Sequence, residues 1–161
     1  METTSLKIFA DYFCIKLVSD PDKDEHFPIW DDEEMEVMVS VGTYSMYVFT
    51  VRNINVPFSI HVSEEVPTIN EKEFDQIVEC SIDCSSGYLE IDYAIECTDS
   101  VFIQRLPSGF YGAYVCFKDL DRISEDRIEG NDSYQLFLWA VDRLYPVRVA
   151  KYKQSEASLN G

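Results

Sequence analysis

A mainly β fold is predicted: a single-domain antiparallel β-sandwich of about eight or nine short strands, with at most one or two short helices. Three observations predict it. Apolar residues recur at period two or in short runs, not at helical spacing. Turn-forming residues punctuate those runs at the intervals typical of sandwiches and barrels. The chain of 161 residues, 46% hydrophobic with ten Tyr and ten Phe, is large enough to bury a sizeable core. No repeat or linker divides it, so one domain is expected over 1–153, followed by a frayed tail at 154–161.

The first predicted strand is Lys7–Val18, "KIFADYFCIKLV". The acidic stretch "DPDKDEHFPIWDDEE" follows, and then Glu33–Val41. That segment opens with acids suited to a helix's first turn, and its Val-rich end also suits a strand. Tyr44–Arg52 and Pro57–Ser63 read as strands, and "EEVPTINEKE" as a loop before the strand Phe74–Asp83. Ser85-Ser86-Gly87 turns the chain into Tyr88–Glu96, where Leu89, Ile91, Tyr93 and Ile95 alternate with Glu90, Asp92 and Glu96. Such alternation predicts an apolar inner face and an acidic outer one. Val101–Leu106 leads to Pro107-Ser108-Gly109, a hairpin-type turn with Phe110–Lys118 as the return strand. A second acidic loop, "DLDRISEDRIEGND", precedes the last strands, Tyr134–Asp142 and Tyr145–Tyr152.

Charge excludes several functions. Thirty acids against 13 bases leave a net charge of −17. Such a chain repels nucleic acids and anionic membranes, which are bound by Lys and Arg neutralising phosphates. No apolar run reaches the roughly 18 residues that span a bilayer. The N-terminus carries no basic region followed by an apolar one, so a soluble cytoplasmic protein is expected. The five cysteines, Cys14, Cys80, Cys84, Cys97 and Cys116, are odd in number and lack a CxxC pair. They read as buried thiols, with Cys80 and Cys84 on one strand face.

Motifs for catalysis are missing: there is no P-loop, GxGxxG or GxSxG. The two histidines are His26, in the acidic stretch, and His61, which alternates with Ile60 and Val62. A Cys–His enzyme is a third-ranked reading. Asp20, Asp22 and Asp24 match positions one, three and five of a calcium loop. However, Glu25 stands where that loop needs Gly, Asp31 where it needs a bidentate Glu, and a strand precedes it where a helix is required. A calcium-dependent C2-like module is therefore the second-ranked reading, and no metal or cofactor is expected.

Acids are segregated along the chain. Asp11–Glu36 holds ten acids and two lysines, and Glu64–Asp99 eleven acids and one lysine, whereas Asp142–Lys153 holds four bases and one acid. Phe27 and Trp30 interrupt the first acidic run. They serve either as core anchors or as an apolar hot spot ringed by carboxylates.

The order of these elements resembles the competence-protein-J family, small acidic proteins associated with inhibition of a partner nuclease. The resemblance rests on the early strand "DYFCIKLV", the segment "FPIWDDEE", and "LPSGFYGAYVCF" with its Leu-Pro-x-Gly-x-Tyr pattern. The acidic loop "DLDRISEDR" and the strand "SYQLFLWAV" follow in the same order. This chain departs from the pattern at "SEEVPTINEKEFDQ" and at "YPVRVAKY". The resemblance implies a non-enzymatic bacterial inhibitor or immunity protein that neutralises a cognate toxin, most plausibly a nuclease, by covering its basic cleft. The residues expected to bind that basic surface are Asp22, Asp24, Glu25, Phe27, Trp30, Asp31, Asp32, Glu33 and Glu34, with Asp119, Asp121, Glu125 and Asp126 from the second loop.

Overall fold

The computed structural model describes residues 2–95 and 98–153, with backbone only at 93–95 and 98–100. Cys97 and the tail 154–161 lie outside the described residues. Among the described residues eleven strands form two sheets, so the mainly β expectation holds with more strands than eight or nine.

In chain order the strands are β1 (Glu2–Phe9), β2 (Cys14–Val18), β3 (Val39–Val41), β4 (Ser45–Phe49), β5 (Asn55–Ser63), β6 (Gln76–Cys84), β7 (Tyr88–Ile95), β8 (Thr98–Arg105), β9 (Gly109–Lys118), β10 (Ser133–Val141) and β11 (Arg148–Lys151). One α-helix, α1 (Asp32–Val37), precedes β3, and short 3-10 turns lie at Asp11–Phe13 and Glu71–Glu73. The six-stranded sheet has the order β1-β5-β10-β9-β6-β11 and the five-stranded sheet β3-β4-β2-β7-β8. Among the described residues no helix is long and apolar enough to cross a membrane.

The core lies between the sheets. Ile15, Leu17, Val48, Leu89 and Ile91 of the five-stranded sheet meet Phe58, Ile60, Val78, Ile82, Val115 and Leu136 of the other. Alternation predicted the inward faces correctly where side chains are described: Leu89 and Ile91 are buried, Glu90 is half-buried and Asp92 exposed. Cys80 and Cys84 do share the core face of β6. Ile77 points the other way, into a smaller cluster with Phe74 and Cys116. Ile69 and Phe74, from the segment that departs from the family pattern, cover that outer face.

Three expectations need correction. Lys7–Val18 is not one strand: it breaks at Asp11–Phe13, and its halves join different sheets. Tyr12 and Phe13 there take left-handed backbone, with φ of 54° and 60°, which no strand tolerates. Pro107-Ser108-Gly109 does not close a hairpin, because β8 pairs with β7 while β9 pairs with β6 and β10. The turn carries the chain from one sheet to the other, as does Ser85-Ser86-Gly87 between β6 and β7. Finally, β5 and β10 run parallel, from Tyr134 opposite Phe58 to Trp139 opposite Ser63, so the sandwich is not wholly antiparallel.

Candidate partner-binding surface

After β2 the chain leaves the sheets and runs as a strap over the outside of the five-stranded sheet. Ser19 starts it, buried, with its N–H donating to the Tyr44 carbonyl at 2.8 Å. Asp20 then folds the chain back, its carbonyl accepting from the N–H of Asp24 at 3.0 Å. Further on, His26 packs against Gly42, where a β-carbon would stand 2.4 Å from the His26 Cβ. Only glycine permits that approach.

Glu34 fixes the end of the strap. Its Oε1 accepts from the N–H groups of Ile29 (2.9 Å) and Trp30 (3.1 Å), and its Oε2 accepts from the Ser40 hydroxyl at 3.0 Å. Asp31 is the N-cap of α1, accepting from the N–H of Glu34 at 2.8 Å. Asp31 and Glu34 thus occupy the positions of a capping box, with the Glu reaching back beyond the cap. Trp30 stacks on Phe49 of β4 with ring centroids 4.6 Å apart.

The predicted site residues divide by what this geometry does with them. Asp22, Glu25, Asp32 and Glu33 are exposed, as is Asp31 beyond its capping bond, and Asp24 is half-buried. Phe27 is 73% exposed and Trp30 44%, so neither is a core anchor. Glu34 is half-buried and its carboxylate is engaged inside the chain.

Asp119, Asp121, Glu125 and Asp126 lie in the loop between β9 and β10. Here two of the acids have local partners: Asp119 lies 3.6 Å from Arg122, and Asp126 accepts from the Ser124 hydroxyl and the Ile128 N–H, whereas Asp121 and Glu125 are exposed. Those two donors hold the Asp126 carboxyl below its ordinary pKa. The α1 end of the first acidic segment shares one end of the sandwich with this loop, whereas Ser19 and Asp20, where the strap begins, lie at the other end beside the β6–β7 turn. The Gln76 amide donates to the carbonyls of Glu36 and Val37 at the end of α1, and the neighbouring Asp75 accepts from the N–H of Leu120.

Sequence reasoning missed what lies beneath the strap. Asp11 and Tyr12, from the 3-10 turn, come beside Phe27, Pro28 and Trp30, with Lys16 and Asp92 on the neighbouring strands. Tyr12 is 78% exposed. Positive φ offers a physical signature of this place. Six non-glycine residues among those described have it, and three are the aromatics Tyr12, Phe13 and Trp30. Holding a bulky residue in that region costs about 1–3 kcal/mol, and such strain clusters at functional sites. No sequence signal marks these positions, because Asp11-Tyr12-Phe13 continues an apparent strand.

Catalytic chemistry gains no support from the geometry. Burial pushes the thiols of Cys14, Cys80, Cys84 and Cys116 up to about 12, so they are protonated and weakly nucleophilic at neutral pH. His26 Nε2 lies 2.7 Å from the Ser40 hydroxyl, which itself donates to Glu34. The imidazole is therefore the donor in that pair and does not activate the serine. His61 faces away from the core, stacked on Phe137, as its alternation with Ile60 predicted. Among the described residues no three metal-ligating side chains converge. Asp20 and Asp24 instead accept backbone N–H groups of the strap, from Lys23 and His26.

No family model matches the chain, and no curated protein matches it in sequence. Two solved structures share the fold. ComJ from Bacillus subtilis, an inhibitor of the DNA-degrading activity of NucA, superposes with a TM-score of 0.63 at 16% identity, covering 88% of this chain and 96% of ComJ. Crocagin biosynthetic gene J gives a TM-score of 0.55 at 12% identity, with 88% and 98% covered. The likeness that the sequence pattern suggested is therefore present at the level of the fold.

Proposed function

We propose that this protein is a non-enzymatic inhibitor of the immunity type, which binds a toxin of the nuclease class and covers its basic substrate cleft. The observation that carries this reading is the strap, where two exposed aromatic side chains stand among exposed carboxylates on a well-anchored backbone. Its fold likeness to ComJ, itself an inhibitor of a nuclease's activity, supports the same reading.

In this mechanism Asp22, Asp24, Glu25, Asp31, Asp32 and Glu33 take the place of substrate phosphates opposite Lys and Arg of the toxin. Phe27 and Trp30 supply the desolvated anchor at the centre. Glu34 keeps the strap in shape. Asp119, Asp121, Glu125 and Asp126 add a second contact beside the α1 end of the strap. Long-range attraction of this kind acts mainly on the association rate and is screened within roughly 10 Å at 0.1 M salt.

The test is to isolate the partner on immobilised protein, purify it, and follow its DNA degradation as the inhibitor is added. Stoichiometric inhibition is expected, with an association rate that falls at least roughly tenfold from low to high salt. Inhibition that survives the triple change Asp31→Lys, Asp32→Lys, Glu33→Lys would overturn the mechanism. Calorimetric titration with calcium is expected to show no saturable heat. A saturable site would favour the calcium-dependent module instead.

A further inference from the structure

Between the strap and the five-stranded sheet runs a groove made of two adjoining depressions, of about 480 and 320 Å³, which share Lys16, Phe27 and Asp92. One extends towards Asp24 and Glu90, and the other towards Asp11, Tyr12 and Trp30. The rim is thus four carboxylates against one cation. Between them stand aromatic surfaces that the core does not need. Tyr12 and Phe27 are mostly exposed, and Trp30 keeps nearly half its surface outward while stacked on Phe49. The floor already holds one cation against a ring, since the Lys16 ammonium lies 5.6 Å from the centre of Tyr47. Two of the strained backbone positions, Tyr12 and Trp30, line the groove.

We infer that this groove receives an arginine side chain, presented by an extended segment of the partner protein. Its guanidinium lies flat against the Phe27 ring and donates to Asp92, with Asp11 and Glu90 balancing the charge. The inference rests on the inhibitor reading for the identity of the partner, and on the groove's own chemistry for the arginine. A planar, weakly hydrated guanidinium suits aromatic faces and paired carboxylate oxygens, whereas a lysine ammonium is a compact, strongly hydrated charge. Charge complementarity also excludes the other classes of occupant: nucleic acid meets the wrong sign, and an apolar helix would leave the rim carboxylates unpaired beneath it.

Hexa-arginine and hexa-lysine peptides of equal charge provide the probe, with affinities for the whole protein measured calorimetrically at low salt. The arginine peptide is expected to bind about fivefold more tightly. Phe27→Ala and Asp92→Asn should each abolish that preference, while Asp142→Asn, which removes one exposed charge elsewhere, should keep it. Circular dichroism establishes that each variant is folded. Equal affinity for the two peptides overturns the inference, and so does a preference that persists in folded Phe27→Ala and Asp92→Asn. The inhibitor reading fails separately. If the triple Lys variant still inhibits the nuclease but the arginine preference is present, the groove stands and the occlusion mechanism falls.

Discussion

The strap's α1 end and the β9–β10 loop meet at one end of this sandwich, and the two acidic segments are built differently. The β9–β10 loop pairs part of its charge internally: Asp119 has Arg122, Asp126 has Ser124 and the Ile128 amide, and the base is closed by a buried pair, while Asp121 and Glu125 face water. In that pair Arg52 Nε lies 2.6 Å from Asp132, while Arg52 also donates to the Ile128 carbonyl and Tyr134 donates to Asp132. The strap differs in its aromatic side chains. It too uses acids to hold its backbone, Asp20, Asp24, Asp31 and Glu34 all accepting main-chain N–H groups, but it leaves Asp22, Glu25, Asp32 and Glu33 facing water beside uncovered aromatic rings. A count of carboxylates ranks the segments as similar. The exposed rings of Phe27 and Trp30 rank the strap first as a surface for a partner.

Four changes would break or sharpen this contrast. The largest effect is expected from Arg52→Ala, which leaves Asp132 buried without its counter-ion and should cost about 3–5 kcal/mol in urea unfolding. Proteolysis within the β9–β10 loop should rise, while the strap keeps its geometry. Glu34→Ala removes a carboxylate that accepts three hydrogen bonds, at a cost of about 1.5–3 kcal/mol. Here the indole N–H resonance of Trp30 should shift and broaden, and Glu34→Gln, retaining one carbonyl oxygen, should recover part of the loss. Trp30→Ala deletes the stack on Phe49 and should cost about 1 kcal/mol, with a larger penalty in partner binding than in stability. A strap that melted on this change would show that the ring anchors it, and would erase the contrast.

The smallest effect concerns pH. The folded-state pKa of Asp126 is lowered by the Ser124 hydroxyl and then by the Ile128 amide. Its contribution to stability is therefore present above the ordinary carboxylate range and is lost as pH falls through the depressed value. Asp126→Asn should flatten that part of the acid unfolding profile slightly. An NMR titration placing the Asp126 midpoint at or above the ordinary value would remove the loop's claim to internal compensation.

Elements with a local cause were legible in the sequence. The acids of Asp32–Glu34 start a helix, and the Val-rich end that follows is a strand, because a left-handed Met38 separates the two. The inward placement of Leu89 and Ile91 on β7 followed from alternation alone. What failed was non-local. Gly-containing turns announce that the chain reverses, yet nothing in Ser85-Ser86-Gly87 or Pro107-Ser108-Gly109 says which sheet receives the next strand. At the candidate site, Phe27 and Trp30 stood out among the acids, and the Asp31-x-x-Glu34 spacing carried a readable capping signal for Glu34. Tyr12 and Asp92 could not be found this way, since they reach the groove from the break after β1 and from the middle of β7.

The parallel pairing of β5 with β10 also governs how the protein comes into being. Residues 58–63 wait for partners at 134–139, and β1 in turn joins β5. During synthesis the β2–β4 and β3–β4 pairings lie within the first 49 residues, whereas the larger sheet is completed only by β11, at Lys151, and β5 lacks its inner neighbour until Val141 has emerged. Such distant contacts place folding in the slow regime of β proteins, on the order of milliseconds to seconds. Until then the sticky edge of β5 stands open, and a nascent chain is at greatest risk of misassembly while its last strands are still in the ribosome.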